Sequence, residues 1–520
     1  MIGILGWVLF LALFVIFVIL GFYGARWRRG DMSQLHEWAL AGRRLGTFLV
    51  WFLIGADLYT AYTFVAVPSG MFASGALYFF AVPYVSITFA IAMLTMPRLW
   101  EWSRKHGYVT AADMVADRFS SKALAGLIAI TGIIAELPYI ALQIVGMQAV
   151  LTIMLYGVVQ NVAQVSDIAL TISFIILAAF TFTSGLRGAT LGAVLKDSLI
   201  FLSVIVLIIV VPLKYGGFAT AFANAQAFAQ QLAAHKVAWL ATGITNLKPA
   251  ASLMWGYTTL WLGSALALFL YPHAINGSLS SQGKRQLAMS TALLPIYGIG
   301  LAILALLGIL VYADPAAMAI LSKFPLSTAG ILAVPALAVA SLPDWLAGIV
   351  LLGIFIGGLV PAAIMAIAQA NLLTRNIIKP LYPNITPHDE TRISKWASVI
   401  FKFIALGFVF AVPATYAIQL QLLGGIIILQ TLPAVFLGLI SNRLNKYALM
   451  IGWAAGIGSG LYLVEAANHF GPLKTSLYPM AHVLVFVGLI SLLINLAVSI
   501  ILSIPTMAKK SEAVAKEQNK

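Results

Sequence analysis

Thirteen stretches of about twenty largely apolar residues follow one another along the chain, near 4–24, 47–72, 75–97, 123–156, 167–186, 190–213, 251–275, 287–313, 345–373, 396–417, 420–440, 447–466 and 479–505. A helix needs about 20 such residues to cross the hydrocarbon of a bilayer with its backbone hydrogen bonds satisfied internally. Each stretch therefore predicts one membrane-spanning helix, numbered here span 1 to span 13. The polar segments between them are short; the largest, at 214–250, 314–344 and 374–395, are too small for a separate domain. One of the smaller segments carries local information. In "TAADMVADRF", Thr110 stands three residues before Asp113, a capping box that opens a short amphipathic helix. The final "AKKSEAVAKEQNK" is polar and predicts a frayed tail over 506–520.

Composition agrees with this pattern: 62% of residues are hydrophobic and 9% charged, where a soluble domain carries about 25% charged residues. The net charge of +14 is a topology signal. With the N-terminus outside, 25 of the 30 Lys and Arg fall on the inner side, and only Lys214, Lys236, Lys248, Lys323 and Lys474 fall outside. Basic residues gather on the cytoplasmic side of membrane proteins. The prediction is a multi-pass protein of the cell (inner) membrane with a cytoplasmic C-terminus, and the basic side can also touch anionic lipid. A basic footprint for nucleic acid is not what this distribution describes. The first apolar run has no basic stretch before it and exceeds a signal-peptide core, so it is read as a retained span. The chain has no cysteine, hence no disulfide framework and no thiolate site.

Four spans depart from plain apolar helix. Span 2 carries Gly55 and Asp57, and span 4 carries Glu136 followed by Pro138. Span 7 holds Gly256, Gly263, Ser264 and Pro272; span 9 holds Gly353, Gly357, Gly358 and Pro361. Spans 2 and 7 are five apart, so they occupy matching positions if two five-span repeats follow a leading span. Interrupted helices in corresponding halves point to a binding site near the midplane. A carboxylate such as Asp57 costs at least about 2.5 kcal/mol at a helix centre, which calls for a partner or a function.

The segments "EWALAGRRLGTFLVWFLIGADLYTAYTFVAVPSG", "HGYVTAADMVADRF", "LPYIALQIVGMQ", "TFTSGLRG", "LFLYPHAINGS" and "GGLVPAAIMAIAQANLLTRNI" together resemble the sodium:solute symporter family, and within it bacterial monocarboxylate permeases. The resemblance runs from about Glu37 to about Lys446. It implies an all-α polytopic membrane protein with a LeuT-like core of two inverted five-helix repeats. The leading helix is 4–24, the repeats 47–213 and 251–440, and the trailing helices 447–505. It also implies symport of a small organic anion with a co-transported cation, sodium or proton, and no bound cofactor.

Asp57 reads either as a cap on the second half of a broken helix or as a carboxylate facing the cation or substrate path. The resemblance favours the path, and it assigns the cation to carbonyls of Gly55 and Leu58 beside Asp57. The family's two span 9 hydroxyls fall on Val360 and Pro361, and no Ser or Thr occurs between Ala347 and Leu373. Pro361 lacks an N–H, which leaves the carbonyl of Gly357 as a residual oxygen ligand. The family's acid after span 5 falls on Ala193, with Asp197 a turn later beside Lys196; this pair reads as interfacial, or as a proton-coupling site. Glu136 reads as a proton-coupling acid or as a lone carboxyl bonded to a neighbouring helix. Tyr139 and Gln143, four apart on one face, read as substrate contacts or helix bridges. Ser264 and Pro272 match substrate-proximal positions, and His273 reads as a helix-end residue. Gly452, Gly456 and Gly460 form two G-x-x-x-G spacings for close helix packing.

Enzyme signatures are missing. His36–Glu37 has no second His at Leu40, "GIGSGLY" has Ile457 where G-x-S-x-G needs glycine, and there is no P-loop. With the basic residues assigned to loops and inner ends, the midplane is expected to hold no Lys or Arg, which suits one carboxylate better than two or three. That carboxylate would meet a half-helix N-terminus in span 2 or 7, the hydroxyls of Tyr59, Thr60, Tyr139 and Ser264, and an aliphatic lining around Leu268. The expected substrate is of the pyruvate, lactate, acetate or propionate class. Alternatives are the same fold carrying an amino acid or other small polar solute, and an ion channel.

Overall fold

The computed structural model describes residues 2–28, 30–234, 251–411, 417–441 and 443–518; Arg29, Lys236 and Lys248 lie outside these. Among the described residues, twelve continuous helical stretches are long and apolar enough to cross a membrane. One of them, Tyr62–His106, contains the second half of span 2 and all of span 3. The first half of span 2, Thr47–Ala56, is a separate short apolar helix. Thirteen predicted spans thus correspond to twelve stretches plus one half-helix.

Span 9 (Asp344–Leu372) is the axis of the bundle, packed against spans 1, 4, 6 and 10. Of its most apolar window, 94% is buried, against 22% for span 1, which lies at the edge. A helix that is apolar all round can only be enclosed by protein or faced by lipid; span 9 takes the first option and span 1 the second. The exposed side chains of the outer spans, such as Leu94, Leu213 and Ile299, form the surface a bilayer would cover. Spans 5 and 6 join through the single residue Gly185 at φ +56°, where a Cβ would stand 2.2 Å from the Trp38 carbonyl oxygen. Only glycine meets both conditions.

The capping box forms as read. Thr110 Oγ1 accepts from Asp113 N at 3.1 Å, and an Asp113 carboxylate oxygen accepts from Thr110 N, opening helix Ala111–Arg118. The G-x-x-x-G series also acts as read. A Cβ on Gly452 or Gly456 would lie 2.0 Å from Ser499 Oγ or Gln430 Oε1, so span 12 seats closely on spans 11 and 13.

Three segments differ from the pattern. The 314–344 segment contains helices Pro315–Leu321 and Leu326–Ser341, the second buried from Ala329 to Ala338; at 16 residues it is too short to read as a span, yet its small side chains pack against spans 2 and 4. The predicted start of span 13 is a hairpin pairing Leu477–Met480 with Val483–Phe486, rich in the branched and aromatic residues that favour strands, and the helix begins at Val487. That helix continues to Gln518 rather than fraying after Pro505. Two of the 25 residues counted on the basic side, Lys196 and Lys402, are fully buried well inside spans 6 and 10, whereas the buried Arg187 sits in the first turn of span 6, which leaves 23 for the topology argument.

Candidate functional site

Span 2 breaks immediately after Ala56. Asp57 N bonds back to Ile54 O, Leu58 N and Tyr59 N both bond to Gly55 O, and Thr60 N bonds to Leu58 O. Thr63 donates its hydroxyl to Leu58 O at 2.6 Å while its N–H bonds to Thr60 O. The carbonyls left over include those of Ala56, Asp57 and Tyr59, whose helical N–H partners have gone elsewhere. Gly55 and Leu58, expected to offer free carbonyl oxygens to a cation, have theirs engaged within the turn. Gly55 instead makes room for an aromatic side chain, since a Cβ there would be 2.0 Å from the Tyr297 ring.

The N-terminus of the second half is closed by side chains. Gln143 Oε1 accepts from Ala61 N at 3.1 Å, and Thr60 Oγ1 accepts from Tyr62 N at 3.0 Å. Gln143 and Thr60 thus spend their polar atoms bracing the break, which is the bridging role for Gln143. Tyr59 turns away into a ring cluster with Tyr297 and Phe201, its hydroxyl set where Gly300 leaves room.

Span 7 breaks at a short 3-10 turn, Leu268–Leu270, after helix Met254–Ala267. Tyr271 is extended (φ −61°, ψ 137°), as a residue before proline prefers, and Pro272 opens helix Pro272–Leu279 where its missing N–H costs nothing. Glu136 caps that helix: one carboxylate oxygen accepts from His273 N at 3.0 Å and lies 2.7 Å from His273 Nδ1. His273 is thus more than a helix-end residue. It forms a fully buried pair with Glu136. Tyr139 packs on both Tyr271 and His273, with ring centroids 5.3 and 5.4 Å away. Both half-helix N-termini, expected to receive a substrate carboxylate, already hold protein side chains.

Among the described residues, several buried polar atoms in this region have no hydrogen-bond partner: both Asp57 carboxylate oxygens, the second oxygen of Glu136 and His273 Nε2. Asp57 caps nothing, so the capping alternative is not what the break displays. Its carboxylate faces the second half of span 7, where a Cβ on Gly277 would lie 3.9 Å from it. The charges that act on it are those of His273, Lys196, Glu136 and Asp197. An unpaired buried polar group costs about 1–3 kcal/mol, more when charged, so such a cluster marks where a ligand is met.

Span 6 brings a residue that the sequence assigned to the interface. Lys196 is fully buried and donates from Nζ to Ala56 O at 2.9 Å and Tyr59 O at 2.6 Å, two of the carbonyls orphaned by the break. It pairs with Asp197 at 2.8 Å, and Asp197 accepts from the Tyr297 hydroxyl at 2.6 Å. Asp197 is therefore interior, and the buried interior at the span 2 break does hold a lysine. The signal was present in the spacing, since both charges fall inside the predicted span 190–213. Span 9 passes alongside without a polar group: Gly357 approaches Ile200, and Val360 approaches Gly192, both on span 6.

A small cavity of about 20 Å³ lies at the span 7 break and reaches the segment around Thr110. Pro272, Asn276, Gly132, Asn371, Thr431 and Thr110 are among its lining. Ser264 and Leu268 are buried outside it, and Pro272 alone of the expected substrate residues lines it.

The chain resembles known proteins over nearly its whole length. A protein named monocarboxylate transport permease protein, from Rhizobium johnstonii, is 38% identical over 503 residues, 96% of each chain. An uncharacterised symporter of Bacillus subtilis, YodF, is 32% identical over 87% of this chain and 86% of its own. The sodium/pantothenate symporter of Escherichia coli is 25% identical over 84% of this chain and 86% of its own. Among solved structures, a substrate-bound outward-open Na+-coupled sialic acid symporter superimposes with a TM-score of 0.72 at 15% identity, covering 96% of this chain and 97% of that one. This likeness carries the LeuT-like fold. The sequence model of the sodium:solute symporter family matches residues 38–456. With most of its length matched in this way, the chain belongs to the sodium:solute symporter family and is a transporter rather than an enzyme.

Proposed function

We propose that this protein imports a small monocarboxylate, of the pyruvate, lactate, acetate or propionate class, by secondary active symport across the cell (inner) membrane. The observation that carries the proposal is the meeting of two broken helices around unpartnered buried polar atoms, namely the Asp57 carboxylate, the second Glu136 oxygen and His273 Nε2. Of that set, His273 Nε2, when its ring is protonated, can donate to one carboxylate head, with Tyr139 and the aliphatic turn at Leu268 beside it, while the Asp57 and Glu136 oxygens are acceptors that suit a co-transported cation rather than the anion. The name of the Rhizobium relative supports the same substrate class. Lys196 changes the electrostatic reasoning without changing the size of the head. Its ammonium is neutralised by Asp197 and held by carbonyls, so no free cation is added that would favour a second substrate carboxylate.

A second reading has its own observation. Among the described residues, Asp57 has two free oxygens and no basic side chain bonded to it, which suits the ammonium of a small amino acid. Uptake into proteoliposomes separates the two. Labelled pyruvate, lactate, acetate and propionate are tested against alanine, with succinate and citrate as competitors. Saturable uptake of a monocarboxylate with weak competition by succinate supports the first reading. Uptake of alanine alone supports the second, and equal inhibition by succinate and propionate refutes the single-carboxylate argument.

A further inference from the structure

We infer that the ammonium of Lys196 is a built-in cation at the span 2 break, so that transport by this chain needs no sodium there. The inference rests on the transporter reading above and deepens it by addressing the co-substrate. A helix that breaks inside a membrane exposes carbonyl dipoles, and these must be met by positive charge or hydrogen-bond donors. Here two of the carbonyls without helical partners, of Ala56 and Tyr59, both accept from the same Nζ.

The surroundings fit an ammonium and leave little for a metal ion. Asp197 at 2.8 Å supplies the counter-charge and is oriented by the Tyr297 hydroxyl. Asp57 and Tyr59 on span 2 are the other titratable groups near the lysine. Span 9 adds none: Val360 and Pro361 stand where the resemblance places hydroxyls, and both are buried and apolar. Carbonyls of Gly55 and Leu58 are consumed by the turn. A sodium ion bound to the Ala56 and Tyr59 oxygens would sit within hydrogen-bond distance of a like charge, in an interior where such repulsion is poorly screened. The lysine is covalently attached, so it cannot leave with the substrate.

The test uses the purified full-length protein and the Lys196→Ala variant. Two readouts are taken: saturable binding of radioactive sodium, which needs no knowledge of the substrate, and initial uptake rates in sodium against choline medium. The parent is expected to bind no saturable sodium and to transport at the same rate in both media within about a factor of two. The folded variant is expected to gain saturable sodium binding, because Asp197 and the two carbonyls are left facing the space vacated by the ammonium. Saturable sodium binding by the parent, with strong sodium stimulation of uptake, overturns the inference. So does a folded Lys196→Ala that binds no sodium. If the variant does not fold, the parent measurements decide. If no tested acid is transported in either medium, the substrate proposal fails while the sodium-binding result still judges the lysine.

Discussion

Removing the Glu136 carboxylate tests the reconstruction of the span 7 break most directly. One oxygen of Glu136 meets both His273 N, at 3.0 Å, and His273 Nδ1, at 2.7 Å, and both residues are fully buried. Glu136→Ala leaves two interior donors unpaired, at about 1–3 kcal/mol each, for a total of about 2–6 kcal/mol. Glu136→Gln keeps a carbonyl oxygen of similar reach and removes only the charge. It should recover the backbone cap, the smaller neutral share of about 1 kcal/mol, and part of the ring contact. The expected order of stability is parent, then Gln, then Ala, with the Ala variant several kcal/mol below the parent. The assay is reversible unfolding in mild detergent, with thermal inactivation of solubilised protein as a second measure. Equal stability of the Ala and Gln variants would mean that the carboxylate oxygen does not cap Pro272–Leu279. An Ala variant as stable as the parent would refute the pairing altogether.

Asp57→Asn should reach the membrane in normal amounts and lose most accumulation of substrate, because its oxygens bond to no described protein group and their charge serves a ligand; normal concentrative uptake by this variant would remove Asp57 from the site. Gly55→Ala drives a Cβ into the Tyr297 ring and should cost about 1–3 kcal/mol, with little loss in a Gly55→Ala/Tyr297→Ala double variant relative to Tyr297→Ala alone. Glu37, on the short helix Leu35–Leu40 outside the spans, bonds to Arg187 and to Arg44; burial pushes its carboxyl up, but the two guanidinium groups outweigh this and hold it below the usual range. A lowered carboxyl contributes stability above its ordinary value of 4.5 and loses it as the pH falls through the folded value. The parent should therefore exceed Glu37→Gln by up to about 3–5 kcal/mol at pH 7, and the gap should close in acid; a gap independent of pH would refute the ion-pair account. For orientation, the cysteine-free chain allows single labels: Lys474→Cys should react with an impermeant maleimide in intact cells and Arg392→Cys only after lysis, and the reverse would overturn the proposed sidedness.

How much of the site could be read in advance is clearest residue by residue. Asp57 and Pro272 announced their breaks, because a carboxylate or a proline within an apolar run is costly unless the helix is interrupted or a ligand is met. Glu136 was visible as an anomaly but not as a cap, since its partner His273 lies 137 residues away. Thr60 read as a substrate contact, and Gln143 as a substrate contact or a helix bridge, because polar side chains near a break can face either a ligand or the backbone, and spacing does not say which. The expectation that Gly55 and Leu58 would free their carbonyls missed by one residue, because the choice depends on whether each N–H reaches back three residues, four, or only two.

What the chain determined by itself was its relation to the bilayer: the number of spans, their breaks and the proposed sidedness follow from periodicity, hydropathy and the placement of basic residues, all of which act locally. The assignment of partners to buried charge was decided only by the tertiary structure. Lys196 and Asp197 read as interfacial because lysine in lipid is costly and a nearby helix end offers an easy escape. Packing put span 6 against the broken span 2, where two orphaned carbonyls and the Asp197 carboxylate meet the ammonium. Such compensation depends on atoms brought together from positions about 140 residues apart, and a pattern read along the chain carries no record of that distance.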